Sequence, residues 1–283
     1  MPYDNLIHTL LNIILPRKCA GCGLENEVFC EKCAEASYKK GTQCLICGFR
    51  NKDGKICSGH KLPIKQVIWA GRYDDELKEA VWQLKYKKRK ELARPLAEMM
   101  WKKFIETFDN SFPSQQFARH GYFSAEKFLV LTPSRSQGLA NYSPEDSPAS
   151  KMDFLVIPIP LHFKKEYERG FNQAELLARE FAKMCNTECL TNVLIKVRET
   201  PAQVEVENKE LRIKNLENAF RVNLNISPNP LLVKKGSAER GWSPTIILID
   251  DVSTTGATLF HAASALEKAG AKRIIGLVLA HGG

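Results

Sequence analysis

The sequence TIILIDDVSTTGAT at residues 245–258 decides the predicted fold of the C-terminal part of the chain. Four apolar residues run directly into two acids, Asp250 and Asp251, which are followed by a loop of hydroxyl residues and glycine. Apolar residues at helical spacing then occupy 259–266, and a second apolar run, RIIGLVLA, spans 273–280. The pattern predicts a strand, a tight loop, a helix and another buried strand. The sequence therefore predicts an α/β fold with a mostly parallel sheet flanked by helices.

The loop after the first strand has the composition of an anion-binding site. A helix N-terminus directs backbone N–H groups and the positive end of its dipole towards the loop, hydroxyls add donors, and glycine allows close approach. Asp250 and Asp251 are suited to accept hydrogen bonds from ribose hydroxyls or to help hold a divalent cation. The alternative is an ordinary helix cap with both acids solvated at the sheet edge. The predicted phosphate-binding residues are Ser253, Thr254, Thr255, Gly256, Ala257 and Thr258.

The N-terminal region carries an independent pattern, because seven of the nine cysteines lie before residue 58. Paired ligands two residues apart form knuckles, and two knuckles close one tetrahedral zinc site. A cross-braced arrangement, in which the first knuckle pairs with the third, is compatible with the same spacing. No segment has the pattern of a signal peptide, which favours zinc thiolates over disulfides and indicates a cytoplasmic protein. The spacing predicts a double zinc ribbon with two structural zinc ions, held by Cys19, Cys22, Cys30 and Cys33 and by Cys44, Cys47, Cys57 and His60.

The chain is basic, with a formal net charge of +9. Two bound zinc ions and seven thiolates would still leave a net charge of about +6. Five of the six residues at 85–90 (KYKKRK) are cationic. Such a basic patch can attract a polyphosphate or a nucleic-acid backbone, and Trp82 and Tyr86 offer stacking faces. A solvated helix surface explains the same run of charge, so the patch alone assigns no function.

A second apolar strand is predicted at 154–160 (FLVIPIP), and it leads into a polar loop and a helix. A basic loop after a strand is a suitable place for pyrophosphate, which Arg169 and the amides near Gly170 would bind. His162 follows the predicted strand at 154–160 and is a candidate for a general base. A single histidine in a loop is more often an ordinary surface residue.

The remaining organisation follows from composition. The apolar segment near the N-terminus is too short to span a bilayer, so a packed helix is expected there and no membrane span is predicted. Separate cores are expected to hold the zinc module and the C-terminal sheet. The predicted units are an N-terminal helix (1–17), the double zinc ribbon (18–61), a helical connector with the basic patch (62–108), a flexible insertion (109–150) and the α/β domain (151–283) with a loop insertion at about 227–244.

The segment at 245–258 resembles the phosphoribosyl-pyrophosphate loop of type I phosphoribosyltransferases. The chain as a whole resembles a narrower group, the ComF family. The matching motifs are the zinc knuckles, Leu-Lys-Tyr at 84–86, Pro-Ile-Pro-Leu at 158–161, Arg-Gly-Phe-Asn-Gln at 169–173, Thr-Pro-Ala-Gln at 200–203, Arg-Ile-Lys-Asn at 212–215, and the acidic loop. Departures are Lys88, near a position where the family often has glycine, residues 164–166, and His60 in place of a cysteine.

The resemblance implies a type I phosphoribosyltransferase-like sheet and binding of phosphoribosyl pyrophosphate with Mg²⁺. Asp250 and Asp251 would be the catalytic residues that hold the ribose, and the phosphoribosyl group would pass to an unidentified acceptor. The family name implies a link to natural competence, with single-stranded DNA, a competence helicase or other DNA-uptake proteins as partners. Two alternatives stay open: a protein that handles single-stranded DNA, and a regulator that binds phosphoribosyl pyrophosphate without turnover.

Overall fold

The computed structural model describes residues 16–38, 42–44, 47, 50–51, 54–60, 62–108, 154–199, 218–223 and 244–282. The helix predicted over 1–17 lies almost wholly outside these residues, as does the insertion predicted at 109–150. The loop predicted at about 227–244 and the motifs at 200–203 and 212–215 also lie outside them, apart from residue 244.

The described residues form short elements before residue 60 and longer ones after it. The helices are α1 (Glu31–Ser37), α2 (Asp75–Tyr86), α3 (Ala93–Phe108), α4 (Phe163–Arg169), α5 (Gln173–Met184) and α6 (Ala257–Lys268). The strands are β1 (Thr42–Gln43), β2 (Arg50–Asn51), β3 (Gln66–Arg72), β4 (Phe154–Pro158), β5 (Leu194–Lys196), β6 (Phe220–Val222), β7 (Thr245–Ser253) and β8 (Arg273–His281). Among these helices, none combines the length and the apolar composition that crossing a bilayer requires.

Four parallel strands form the central sheet in the order β3-β8-β7-β4. Strand β7 is an interior strand, and its Ile249 lies opposite Leu277 of β8 and Pro158 of β4. Residues 246–251 of β7 are all buried, which explains their unbroken apolar run, because an interior parallel strand is covered on both faces. The predicted α/β fold with a mostly parallel sheet flanked by helices is confirmed.

Strand β3 lies within residues 62–108, for which the sequence predicts only helices and a basic patch. Its residues 66–71 are buried, and it pairs with β8 from Gln66 to Arg72. A short apolar run is equally compatible with a strand and with a buried helix segment, so periodicity could not assign it. The central sheet therefore takes one edge strand from the N-terminal half of the chain and its other three from the C-terminal half.

Alternate residues of β7 pack into two cores on opposite faces of the sheet. Ile247 and Ile249 belong to the core that also contains buried residues of α2, α3 and α5. Ile246 and Leu248 belong to the core beneath α6 and the β5–β6 hairpin. This alternation follows from strand geometry, in which successive side chains point to opposite faces.

The first cysteine cluster packs into the core of α2, α3 and α5, so the expectation of separate cores is wrong. Its residues Cys19, Cys30 and Cys33 are buried together with the apolar face of α2. The side-chain amide of Gln83 on α2 donates to the carbonyl of Ala20 at 3.3 Å. A module this small cannot bury a core by itself, and the face of α2 supplies the missing apolar surface.

The left-handed backbone at Lys88 generates a stability prediction. Lys88 follows α2 with a φ of 55°, a conformation that costs a residue with a Cβ about 1 kcal/mol and glycine almost nothing. Lys88→Gly should therefore raise the free energy of unfolding by up to about 1 kcal/mol in urea denaturation. Lys87→Gly is the matched control, because Lys87 has a φ of −92° and glycine there should destabilise. Equal destabilisation by both changes would contradict the backbone described at Lys88.

Candidate functional site

The loop between β7 and α6 lies at the carboxyl end of an interior strand. Strand β7 ends at Ser253 and α6 begins at Ala257. Gly256 has a φ of 72°, which allows the sharp turn into the helix, and the Ala257 N–H donates to Oγ1 of Thr255 at 3.4 Å. The first N–H groups of the twelve-residue α6 face this loop, which is the arrangement that binds phosphate in other proteins.

The start of this loop is held by the end of β8. The carbonyl of Ser253 accepts a hydrogen bond from the Gly282 N–H at 2.9 Å, and Nδ1 of His281 lies 2.9 Å from the same oxygen. The His281 ring stacks on Trp69 of β3, with 4.6 Å between ring centroids. The backbone that leads into the loop is therefore held by the end of β8, which in turn packs on β3.

The two acids differ in their surroundings although they are adjacent in sequence. Asp251 continues the series Ile247 and Ile249, so it faces the helical layer that contains α2. There the Nζ of Lys85 lies 2.9 Å from its Oδ2, with 15% of the lysine side chain and 6% of the aspartate side chain exposed. The other oxygen of Asp251, Oδ1, accepts a hydrogen bond from the Val252 N–H at 2.6 Å. Asp251 thus has a hydrogen bond on Oδ1 and an ion-pair contact on Oδ2.

Asp250 continues the opposite series, Ile246 and Leu248, and faces the side of α6 and β5. Its Oδ1 accepts a hydrogen bond from the Asp251 N–H at 2.8 Å. Burial, followed by the neighbouring Asp251 carboxylate, raises the pKa of Asp250 to about 7, against the weaker opposing effects of Lys85 and Lys196. A carboxyl group with this pKa changes its protonation state near neutral pH.

Two sequence motifs that are far apart in the chain meet beside the acid pair. The guanidinium of Arg169 lies over the ring of Tyr86, 5.3 Å from its centroid, and Nη1 donates to Oε1 of Gln173 at 2.9 Å. Gly170 ends α4 with a φ of 79°. Arg169 thus has an aromatic and an amide partner within the protein, and its binding of pyrophosphate stays a prediction.

Asn172 fixes the motif at 169–173 against the sheet. Its side-chain amide donates to the carbonyl of Ile159 at 2.9 Å, and its carbonyl oxygen caps α5 by accepting from the Ala174 N–H at 3.0 Å. The Ile159 N–H in turn donates to the carbonyl of Ile249 in β7 at 2.8 Å. The motif is therefore positioned by the same strand that carries the two acids.

The predicted basic patch at 85–90 is not one continuous solvated face. Lys85 lies against Asp251 with most of its side chain removed from solvent, and Arg89 bonds to Gln83 and Glu91. The Nζ of Lys90 lies over the ring of Phe171, 5.0 Å from its centroid. Because Lys85 is on the inward face of α2, its charge stabilises the acid pair and is not available to a nucleic-acid backbone.

His162 lies just beyond the carboxyl end of β4, the neighbour of β7, and is buried with its ring against Phe163. Within the described part of the chain, its Nδ1 has no hydrogen-bond partner. Its predicted role as a general base stays a prediction.

Two groups of four ligand atoms could each hold a metal ion, and they follow the sequential pairing: Cys19, Cys22, Cys30 and Cys33 in one, and Cys44, Cys47, Cys57 and His60 in the other. In the first, Sγ atoms are 3.8 Å apart for Cys19 and Cys33 and 3.6 Å apart for Cys22 and Cys30. In the second, the Cys47 and Cys57 Sγ atoms are 3.7 Å apart, and Nδ1 of His60 is 3.5 Å from Cys44 Sγ. Tetrahedral zinc with Zn–S bonds of about 2.3 Å requires about 3.8 Å between sulfurs, so both groups fit zinc.

Fold and site together define an α/β protein with an acidic, threonine-rich loop at the end of an interior strand and two potential metal sites before it. No protein-family model matches the chain. It is 26% identical to Competence protein F of Haemophilus influenzae over 219 residues, which cover 77% of this chain and 87% of that protein. It is 23% identical to the DNA utilization protein YhgH of Escherichia coli K12 over 249 residues, covering 87% and 86%.

Competence protein ComFC of Bacillus subtilis is 37% identical over 121 residues, which are 41% of this chain and 40% of that protein. The chain is thus a homologue of proteins named for competence and DNA utilization, and the resemblance to the ComF family drawn from its motifs is confirmed.

Lys85 is the residue of this site that sequence reasoning placed wrongly. Its spacing from Leu77, Val81 and Leu84 puts it at the margin of the apolar face of α2. From that position an inward-facing side chain could have been predicted. Lys196 of β5, whose charge opposes the pKa rise of Asp250, is brought near the end of β7 by the fold, and the sequence alone does not pair it with Asp250.

The zinc assignment is tested by replacing one buried ligand. Cys30→Ser should reduce the zinc content from two ions per chain to one, because a neutral hydroxyl is a poor substitute for a thiolate. Because the first cluster packs on α2, amide exchange should also accelerate in α2, which metal analysis with hydrogen-exchange mass spectrometry would measure. Cys189→Ser, outside both clusters, is the control and should retain two zinc ions. Two ions in Cys30→Ser would contradict the assignment.

Proposed function

We propose that this protein binds phosphoribosyl pyrophosphate with Mg²⁺ at the β7–α6 loop and transfers the phosphoribosyl group to an acceptor, in the context of DNA uptake. The single observation that supports this most strongly is the combination of a helix N-terminus, a glycine turn and a buried acid pair at one strand end. The names of the homologues support the context of competence and DNA utilization.

In the proposed complex, the residues of the loop from Ser253 to Thr258 bind the 5′-phosphate through backbone N–H groups and hydroxyls. The ribose hydroxyls lie against Asp250, whose ionised form accepts their hydrogen bonds. Pyrophosphate leaves towards Arg169 and Gly170, which stabilise its developing negative charge. The bond from C1′ to the pyrophosphate oxygen breaks, a bond from C1′ to the acceptor forms, and the acceptor proton passes to a base, for which His162 is the candidate.

A divalent cation would be held by phosphate oxygens and by Asp250, because Mg²⁺ is usually bound through one or two carboxylates together with substrate phosphates. Bound Mg²⁺ supplies charge neutralisation of the diphosphate. Asp251 fits this role less well, because the Lys85 ammonium lies against its Oδ2 and its Oδ1 accepts the Val252 N–H. We assign a structural role to zinc in the two clusters, since each offers four protein ligands and leaves no open coordination position.

Replacing Asp250 tests the proposal. Asp250→Asn should weaken binding of phosphoribosyl pyrophosphate about tenfold or more at pH 8, where the native carboxyl is ionised, because a charge-assisted hydrogen bond is lost. Isothermal titration calorimetry with Mg²⁺ measures this, and circular dichroism checks the fold. The matched control is Glu267→Gln, which removes an exposed charge from the far end of α6. Unchanged affinity in a folded Asp250→Asn variant would contradict the proposal.

Turnover is tested separately, by measuring release of pyrophosphate with a panel of bases and amines as acceptors. Pyrophosphate release that depends on an acceptor supports the transferase. Tight binding without release for every acceptor would support the regulator that binds the same ligand without turnover.

A second candidate function, binding of single-stranded DNA, is supported by exposed aromatic rings on α2. Trp82 and Tyr86 are 41% and 57% exposed, with ring centroids 6.0 Å apart. The Nζ of Lys87 lies 5.3 Å from the Trp82 ring. Exposed rings beside cations can stack successive bases while the cations meet the phosphates.

Trp82→Ala should then weaken binding of a labelled oligothymidylate about five- to a hundredfold in fluorescence anisotropy, the range that corresponds to the loss of one stacked base. Lys87→Met should reduce the dependence of affinity on salt, because one phosphate contact is lost. Lys272→Met, which removes an exposed charge beside β8, is the control. If all three variants bind like the wild type, these rings do not form a DNA surface.

A further inference from the structure

Strand β3 forms one edge of the described four-stranded sheet, with β8 on its inner side. Between Gln66 and Arg72 it reads Val-Ile-Trp-Ala-Gly, without a charged residue or a proline. An edge strand presents backbone N–H and C=O groups that can pair with another chain, and charges or prolines in the strand commonly prevent this. Strand β3 has neither between these two residues, and segments of the N-terminal region cover its outer side instead.

The start of the outer edge is covered by residues 54–56, which we call the edge cover. The central residue of the cover pairs antiparallel with Gln66. The N–H of Ile56 donates to the carbonyl of Lys65 at 3.1 Å, and the N–H of Val67 donates to the first carbonyl of the cover at 2.9 Å. The side chain of Ile56 packs against the core beneath α6. Two backbone hydrogen bonds and one apolar side chain therefore hold the cover on β3.

The far end of the edge is covered by the residues that end α1 and follow it. Gly71 pairs antiparallel with Tyr38, and a Cβ at Gly71 would lie 2.6 Å from the carbonyl oxygen of Ser37. The hydroxyl of Tyr38 donates to Oε2 of Glu106 on α3, and the Nζ of Lys102 lies 4.9 Å from the centroid of its ring. This contact is thus anchored on α3 in addition to its connection with the first cysteine cluster.

The edge cover leads directly into the second cysteine cluster, which consists of Cys44, Cys47, Cys57 and His60. Cys47 is exposed, and Cys57 and His60 are partly buried, whereas three of the four ligands of the first cluster are buried. A metal ion supplies much of the folding free energy of a small module, so its loss from the second cluster removes the constraint on the residues before Cys57. The metal of the second cluster is also the more accessible one to a chelator.

We infer that the second cluster is a metal-dependent lock on the edge cover, and that loss of its metal exposes the outer edge of β3 to a second copy of this chain. An apolar edge without charges pairs readily with its own sequence. Two β3 edges that pair antiparallel use the same residues on both copies, and such a contact closes as a dimer. The inference goes beyond the proposed function and involves no ligand of the β7–α6 loop.

Chelation of the full chain tests the dependence on metal. Stepwise addition of EDTA, with bound zinc measured by inductively coupled plasma mass spectrometry, should remove one ion per chain before the other. In sedimentation velocity, the mass should double as the more accessible ion is lost, and added zinc should restore the original mass. A mass that stays constant until both ions are gone would contradict the inference.

Cys57→Ser removes one ligand of the second cluster, and Cys189→Ser, outside both clusters, is the matched control. Cys57→Ser should retain one zinc ion and should sediment at twice the mass of the wild type and of Cys189→Ser. At protein concentrations too low for association, hydrogen exchange of peptides that contain Val67 should be faster in Cys57→Ser, because the acceptor in the edge cover is released. Circular dichroism checks that the central sheet is retained.

A double variant separates strand pairing from aggregation of a damaged module. Cys57→Ser/Val67→Pro also removes the N–H that β3 directs to its outer side, a change that edge strands tolerate and that blocks pairing of two edges. The double variant should return to the mass of the wild type, whereas aggregation of an unfolded module would persist. Association that persists in the double variant, or a Cys57→Ser variant with the mass of the wild type, would overturn the inference. A wild type that holds no metal in the second cluster would overturn it as well.

Discussion

The parallel pairing of β7 with β8 and β4 fixes the position of the two acids and of the loop that follows them in the candidate site. Because β7 is an interior strand, both of its faces are covered, and only its carboxyl end is open to polar groups. The acids, the glycine turn and the start of α6 follow at that end, where ligands bind in open α/β sheets. The motif at 169–173 is fixed to the same strand end, through Asn172 and the backbone of Ile159.

The buried ion pair between Lys85 and Asp251 connects this strand end to the N-terminal half of the chain. Helix α2 carries Lys85 at its C-terminal end, and its apolar face packs against the first cysteine cluster. The amide of Gln83, two residues before Lys85, bonds to the carbonyl of Ala20 between two of the cysteines. A metal ion in that cluster would therefore stabilise the helix that carries Lys85 to Asp251, and this would connect a structural zinc to the proposed ligand site.

Local sequence patterns predicted most of the helices and strands, and the remaining features depend on tertiary packing. The apolar run at 245–249 and the helical spacing at 259–266 predict β7 and α6, because each element matches one period. Cysteine spacing predicts both clusters, and the structure selects the sequential pairing over the cross-braced one for the described residues. Strand β3 was missed, since its short apolar run has no decisive period.

The structure contains the predicted loop between β7 and α6, whose role as a binding site stays a prediction. The predicted charges around that loop were incomplete. Sequence order suggested that Asp250 and Asp251 act alike, but the alternation of a strand places them on opposite faces with different partners. Lys85 looked like part of a solvated basic run, because the run of cations does not show that α2 turns this one residue inward. Long-range partners of this kind depend on how elements pack, which periodicity cannot indicate.

The central claim is that the loop at the end of β7 binds a ribose phosphate. Hydrogen-exchange mass spectrometry with and without phosphoribosyl pyrophosphate and Mg²⁺ tests it most directly, because it reports where the ligand binds. We expect slower exchange at 250–258 and at the first turn of α6. Little change is expected in α3, which packs on the opposite face of the sheet from α6. Saturated binding that leaves exchange at 250–258 unchanged would contradict it.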